Sequence, residues 1–245
     1  MSERETPNVP IIRRGGLADW DRENLPESGA ILLVDKPLTW TSFDVVAVTR
    51  RALGVKKVGH AGTLDPLATG LLILCLGRAT RLADHFQAER KEYTGTIRLG
   101  ATTPTEDAEG EEENVVPVDH LTPAMIADAV ASFLGTSLQT PPMFSARKVE
   151  GKRLYKLARK GIEVDRPARP ITIDAFEITR LALPHLDFRL VCSKGTYVRA
   201  IARDLGLRLG VGGYLAGLRR TKSGEFRVEE AASIEEIRDA GNTTG

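Results

Sequence analysis

The run from Gly70 to Gly77, "GLLILCLG", constrains the fold more than any other stretch. Successive side chains of a strand point to opposite faces, so a run that is apolar throughout must be covered on both sides. Such a strand belongs in the middle of a sheet. "AILLVD", Ala30 to Asp35, reads as a second buried strand, stopped by Lys36 and Pro37. With 245 residues, 42% of them apolar, the chain has enough material for a full core.

The other elements do not alternate regularly. Ser42 reads as the cap of a helix through Phe43, Val46, Val48 and Leu53. "KEYTGTIRLG" alternates as a strand, with Tyr93, Gly95, Ile97 and Leu99 on one face. Thr122 and Pro123 supply start signals for a helix through Met125, Ile126, Val130 and Phe133, ended by Gly135. "PITIDAFEITRLAL" and "HLDFRLVC" read as antiparallel neighbours joined at Pro184, with Leu186, Phe188, Leu190 and Cys192 sharing a face. Gly195 opens a helix whose inward stripe is Val198, Ile201, Ala202, Leu205 and Leu209, leaving Arg199 and Arg203 on another side. "GGYLAGLRRTKSGEFRV" reads as helix and then strand, turning at Ser223 and Gly224. This mixture implies an α+β fold around a mostly antiparallel sheet. Residues 1–28, polar and without an apolar period, read as a loose arm before one domain spanning 29–245.

Several function classes drop out early. The two cysteines, Cys75 and Cys192, lie inside apolar runs with no CxxC partner, which points to core packing in a reducing compartment. No apolar run approaches the roughly 20 residues of a membrane span, and the N-terminus lacks the apolar heart of a signal peptide, so a cytoplasmic location is expected. His60, His85, His120 and His185 are scattered without ligand spacing, which leaves zinc and other metals without a site. The glycines of "GHAGTLDPLATG" match neither a Walker loop nor GxGxxG, and no GxSxG elbow is present. A net charge of +1 conceals strong segregation. Glu106 to Glu113 is an acidic block, whereas Arg147 to Arg169 holds nine basic residues against three acidic ones. A basic stretch of that density suits a phosphate backbone, and suits a solvated helix face equally well.

Asp65 stands out as a lone acid beside the central strand. Asp-Pro starts turns, so Asp65 before Pro66 is either turn chemistry or a working carboxylate kept ionised by a cation. Arg199 is a candidate cation, though by itself it reads as a solvated helix arginine. Tyr93 and Tyr197 read as packing aromatics, His60 as a loop histidine and Leu218 as core.

"VGHAGTLDPLATGLLILCLGRATR" resembles the catalytic motif of the TruB family of pseudouridine synthases. "DKP", "TSFDVV", "KEYTGTIRLGATTPTEDAEG", "QTPPMFSARKVEGKRLYKLARKG", "SKGTYVRAIARDLG" and "LRRTKSGEF" resemble further family segments in the same order, covering roughly Gly29 to Phe226. The resemblance implies a mixed, largely antiparallel central sheet flanked by helices and loops. It implies isomerisation of uridine to pseudouridine at position 55 in the T loop of tRNA, on a flipped-out nucleotide, with no cofactor.

By the same resemblance Asp65 is the catalytic carboxylate and Arg199 its ion-pair partner. Tyr93 stacks on the uracil and is a candidate base for the C5 proton. Tyr197 and Leu218 hold the target nucleotide, and His60 supports the rearranged T loop. Lys36 and Pro37 buttress the tyrosine strand, and Pro141 to Arg169 is an RNA-gripping insertion. The expected partner is tRNA, with no membrane and no metal, and the expected state a monomer. Two departures stand out. Thr39 occupies the position of the usual glycine after "KP", where a positive φ is in question. No C-terminal RNA-binding domain is evident either. An RNA-folding chaperone or binding module with incidental catalysis is the alternative, and the catalytic subunit of a guide-RNA particle a weaker third.

Overall fold

The computed structural model describes residues 8–18, 20, 21, 23, 25–144 and 164–242, with the backbone of 148–149 and 152–153. The chain divides into two compact units, residues 1–91 with 219–245, and residues 92–218.

In the first unit β1 (Ile11–Ile12) runs parallel to β2 (Ala30–Lys36). There follow α1 (Ser42–Ala52), β3 (Val58–His60), β4 (Ala68–Leu76) and the short α2 (Ala83–Gln87). β4 pairs antiparallel with β2, from Ala30 opposite Leu76 to Lys36 opposite Gly70, and with β3, where His60 meets Leu74. As the apolar run requires, every side chain from Leu71 to Leu76 is fully buried. One face of β2 and β4, with Ile31, Leu33, Leu71, Ile73 and Cys75, packs with Phe86 and Phe226. Burial pushes the Cys75 thiol up to about 12, so it stays protonated and behaves as a small hydrophobe.

Two sequence expectations change here. Part of the 1–28 arm belongs to the fold: Ile11–Ile12 form β1, Leu17 is buried, and Arg14 N donates to Glu230 O. Backbone pairing plus a few apolar side chains suffices, and so short a segment shows no period. The cap of α1 is Thr41 and not Ser42. Thr41 Oγ1 accepts from Asp44 N while Asp44 Oδ2 accepts from Thr41 N, a reciprocal capping box that makes Ser42 the first helical residue.

The second unit is built on β5 (Lys91–Leu99), α3 (Pro123–Ala131), β6 (Gly135–Gln139), β7 (Lys148–Val149), β8 (Lys152–Arg153), β9 (Arg169–Ala182), β10 (His185–Cys192), α4 (Val198–Arg208) and the first part of β11 (Gly213–Ser223). Its strands lie in the order β11, β5, β10, β9, β6. β9 and β10 pair antiparallel across the turn at Pro184, and Leu186, Phe188, Leu190 and Cys192 are buried together. Phe176 meets Phe188 and Phe133 edge-on at 5.7 and 6.0 Å between ring centres.

Thr122 caps α3 as expected, but the helix ends at Ala131, and Gly135, at φ +89°, opens β6 instead. β6 carries no apolar alternation, because Gly135 to Leu138 are exposed and only Gln139 turns inward. Most of the expected insertion at 141–169 lies outside the described residues; within it, β7 and β8 pair antiparallel.

The part expected as helix is strand instead, β11 running unbroken from Gly213 to Ser223. Tyr214, Leu215 and Leu218 are spaced as on a helix, yet Gly212, Gly213 and Gly217 weaken any helix there. Bare glycines also let backbones approach. A Cβ on Gly95 would lie 2.5 Å from Gly217 O, and one on Gly206, inside α4, 2.1 Å from the Gly212 carbonyl carbon.

The first unit is completed by Arg219–Ser223, at the end of β11, by β12 (Phe226–Arg227) and by α5 (Ile234–Asn242). Arg220 lies so close to β4 that a Cβ on Gly70 would be 2.3 Å from Arg220 O. After the turn at Ser223 and Gly224, β12 pairs back on β11 antiparallel. α5 packs on α1 and buries Ile234, Ile237 and Ala240. The mixed sheet with flanking helices is the α+β architecture implied by the sequence.

Candidate active site

Asp65 sits half-buried in the loop between β3 and β4. Strand ladders do not reach this loop, so its backbone groups find other partners. Ala61 N donates to Ile73 O at 2.9 Å, and Arg220 Nη2 to Gly62 O at 3.2 Å. Ser42 Oγ donates to Leu64 O at 3.0 Å and accepts from Leu64 N at 2.8 Å. Pro66 O accepts from Thr39 N at 3.0 Å and from Lys36 Nζ at 3.3 Å. Ala68 N closes the turn on Asp65 O at 3.0 Å. Asp65 thus lies in a turn whose loop is anchored at several points, a placement that suits both turn chemistry and a working carboxylate.

Lys36 is fully buried at the end of β2. A buried ammonium is tolerable only when its protons are taken up, and Pro37 O, Trp40 O and Pro66 O accept from it at 2.9, 2.5 and 3.3 Å. Lys36 thereby ties the 36–40 turn to the loop of Asp65. Within that turn Thr39 has φ +69°, the left-handed conformation that a glycine would adopt without strain. One residue before Lys36, Asp35 receives Arg219 in a bidentate pair at 3.1 and 2.7 Å.

His60 leads into the same loop from β3. Burial first, and the Arg220 charge second, hold its pKa below the ordinary 6.5, so the ring is neutral at pH 7. Its buried Nδ1 has no hydrogen-bond partner among the described residues.

In the second unit Arg199 is buried on α4, contrary to the solvated arginine its position suggests. Its Nε lies 3.6 Å from Asp107 Oδ2, Nη1 donates to Thr105 O at 3.0 Å and Nη2 to Phe144 O at 2.7 Å. One turn on, Arg203 pairs with Glu106 at 2.7 Å. Two members of the acidic block are therefore partners of helix arginines, Asp107 buried and Glu106 half-buried. Tyr197 is the N-cap residue of α4. Its N–H donates to Gln139 Oε1 at 2.8 Å while its carbonyl accepts from Gln139 Nε2 at 3.0 Å, so the end of β6 fixes the start of the helix. Tyr93 is buried on β5 and Leu218 half-buried on the neighbouring β11.

Within the first unit, then, Lys36, Pro37 and Asp65 belong to one hydrogen-bonded cluster with His60 at its edge. Within the second, Tyr197 and Arg199 share the first turn of α4, and Tyr93 and Leu218 lie on adjacent strands. Ser42, Asp107, Gln139 and Arg220 were not singled out from sequence as site residues. Only Asp107 carried a signal, through the flanking Thr103 and Thr105, whose hydroxyls bond to its carbonyl and carboxylate. Among the described residues no three His, Cys, Asp or Glu side chains cluster as metal ligands, and no helix is long and apolar enough to cross a membrane.

Comparison with known proteins converges on one family. The family model described as TruB family pseudouridylate synthase (N terminal domain) matches residues 50–198, and that of the tRNA pseudouridylate synthase B C-terminal domain matches 199–244. The chain is 54% identical over 211 residues to tRNA pseudouridine synthase B of Opitutus terrae, covering 86% of this chain and 88% of that protein. It is 52% identical over 218 residues to the protein of the same name from Parabacteroides distasonis, covering 86% and 93%. Among solved structures, one chain from the crystal structure of a Cbf5-Nop10-Gar1 complex superposes with a TM-score of 0.69 at 26% identity, covering 96% of this chain and 60% of that one. With its motifs in order and more than half of its length matched, the chain belongs to the TruB family of pseudouridylate synthases.

Proposed function

We propose that this enzyme isomerises uridine to pseudouridine at position 55 in the T loop of tRNA, acting as a cytoplasmic monomer with Asp65 as the catalytic carboxylate. Relatives named tRNA pseudouridine synthase B, at 54% and 52% identity over most of the chain, support the reaction and the substrate. The observation that carries the role of Asp65 is its loop, in which a single half-buried carboxylate is held by backbone bonds on both sides.

The reaction breaks the bond between C1′ and N1, turns the uracil, joins C1′ to C5, moves the C5 proton off and returns a proton to N1. Atoms and electrons balance within the nucleoside, so no external reactant is consumed. Asp65 acts in its ionised form, and Arg199 supplies the cation that favours that form. Tyr93 stacks on the uracil and takes the C5 proton. Tyr197 and Leu218 grip the everted nucleotide, whose unstacking costs a few kcal/mol. His60, neutral, supports the rearranged T loop once the uridine has left its stack, and Lys36 with Pro37 keeps the loop of Asp65 in place. The basic segment up to Arg169 holds phosphates.

The test is Asp65→Asn, nearly isosteric and uncharged. It abolishes pseudouridine formation in an unmodified tRNA transcript while tRNA binding persists; intact turnover in that variant would remove Asp65 from the mechanism.

A further inference from the structure

We propose that Ser42 and Arg220 are positioning residues for Asp65, holding the loop before it at two separate points. The proposal rests on the reading of Asp65 as the catalytic acid.

Where a loop side chain points follows from its backbone dihedrals, and those are set by whatever the backbone groups bond to. The residue directly before Asp65 is Leu64, and both of its backbone groups are taken by one atom, Ser42 Oγ. Ser42 is 2% exposed and Leu64 4%, so water has no access to replace that hydroxyl. Ser42 is itself fixed, because the capping box of Thr41 and Asp44 sets the first turn of α1. The end of a helix thus dictates the backbone next to the reacting carboxylate.

Arg220 does the same three residues before Asp65. Its side chain is fully buried, Nε donates to Leu71 O on β4 at 2.7 Å, and Nη2 donates to Gly62 O at 3.2 Å. The guanidinium therefore links the start of the loop to the strand that follows it. This span is possible because Gly70, at φ +98°, leaves room for Arg220 to lie against β4. Neither residue needs to touch RNA. Displacing a reacting group by about 1 Å costs on the order of 100-fold in rate, so loosening either anchor acts on the chemical step and not on binding.

The test compares Ser42→Ala, Ser42→Cys, Arg220→Lys and Asp65→Asn with Val45→Ala, which opens a cavity on the same helix. Single-turnover rates of pseudouridine formation with enzyme in excess are read beside tRNA affinity and melting temperature. Ser42→Ala and Arg220→Lys lower the single-turnover rate by about 100-fold with unchanged affinity, Ser42→Cys falls between Ser42→Ala and the parent, and Val45→Ala lowers the melting temperature while keeping the rate. Parent-like rates in Ser42→Ala and Arg220→Lys beside an inactive Asp65→Asn overturn the positioning role alone. An equal rate loss in Val45→Ala overturns it too, by reducing it to general stability. Turnover in Asp65→Asn instead overturns the underlying reading of Asp65.

Discussion

Arg199 Nε lies 3.6 Å from Asp107 Oδ2, with the two side chains only 5% and 3% exposed. Asp107 also accepts from Thr105 Oγ1 at 2.6 Å and from Glu109 N at 3.1 Å, so one carboxylate organises both the loop and the helix arginine. Asp107→Ala removes the carboxylate from beside the buried Arg199 guanidinium, and takes an acceptor from Thr105 and Glu109. We expect it to lower unfolding free energy by about 3–5 kcal/mol in urea titrations, and Asp107→Asn, which keeps an acceptor oxygen, to cost less. A loss within about 1 kcal/mol for the alanine variant would mean that the pair is energetically no more than a surface contact.

Thr39 has φ +69° although it is β-branched. Glycine at this position relieves strain of about 1–3 kcal/mol, part of which is offset by the greater freedom glycine gives the unfolded chain. Thr39→Gly is therefore expected to raise the melting temperature, whereas Thr39→Ala, still strained, gains less. A lower melting temperature for the glycine variant would contradict this account of the 36–40 turn.

His60 titrates below 6.5 in the folded protein because burial, and then Arg220, disfavour its charged form. As pH falls through 6.5 the unfolded chain takes up the proton first. Stability contributed by neutral His60 is thus complete above 6.5 and declines below it, until the folded form is protonated too. Melting temperature against pH is expected to fall less steeply below 6.5 in His60→Gln than in the parent. Parallel profiles would show that His60 does not carry this dependence.

Gly206 lies in the last turn of α4, and within a helix alanine ordinarily stabilises over glycine by about 1 kcal/mol. Here the sign reverses. An added Cβ would fall 2.1 Å from the Gly212 carbonyl carbon and 2.2 Å from Gly213 N, backbone atoms that cannot step aside singly. Gly206→Ala is expected to destabilise by about 1–3 kcal/mol or more in the same titrations. Any gain in stability would mean that α4 and the turn after it have room to separate.

What was legible in the sequence is what periodicity and caps encode. The run from Leu71 to Leu76 announced a strand buried on both faces, the alternation of Leu186, Phe188, Leu190 and Cys192 a half-buried partner, and Thr122 with Pro123 a helix start. The first part of β11 reads as helix because Tyr214, Leu215 and Leu218 fit a helical face, against which stand Gly212, Gly213 and Gly217 and the close backbone approach at Gly95. β6 leaves no apolar alternation to read, because Gly135 to Leu138 are exposed and only Gln139 is buried, while its backbone pairs with β9. The burial of Arg199 was hidden for another reason. Its counter-charge, Asp107, lies far back in the chain inside what looks like a solvated acidic block. Ser42 was noticed as a cap and not as a clasp, since nothing local indicates that Leu64 needs its hydroxyl. Long-range polar pairing leaves little local trace, whereas the family motifs pointed to Asp65, Tyr93 and Arg199 by resemblance alone.

The central claim is tested most directly by mapping pseudouridine, nucleotide by nucleotide, in an unmodified tRNA transcript incubated with the purified protein alone. The account predicts conversion at position 55 and nowhere else in the T loop, without added metal or cofactor. Conversion at a different nucleotide, or none with folded protein that binds the transcript, would contradict it.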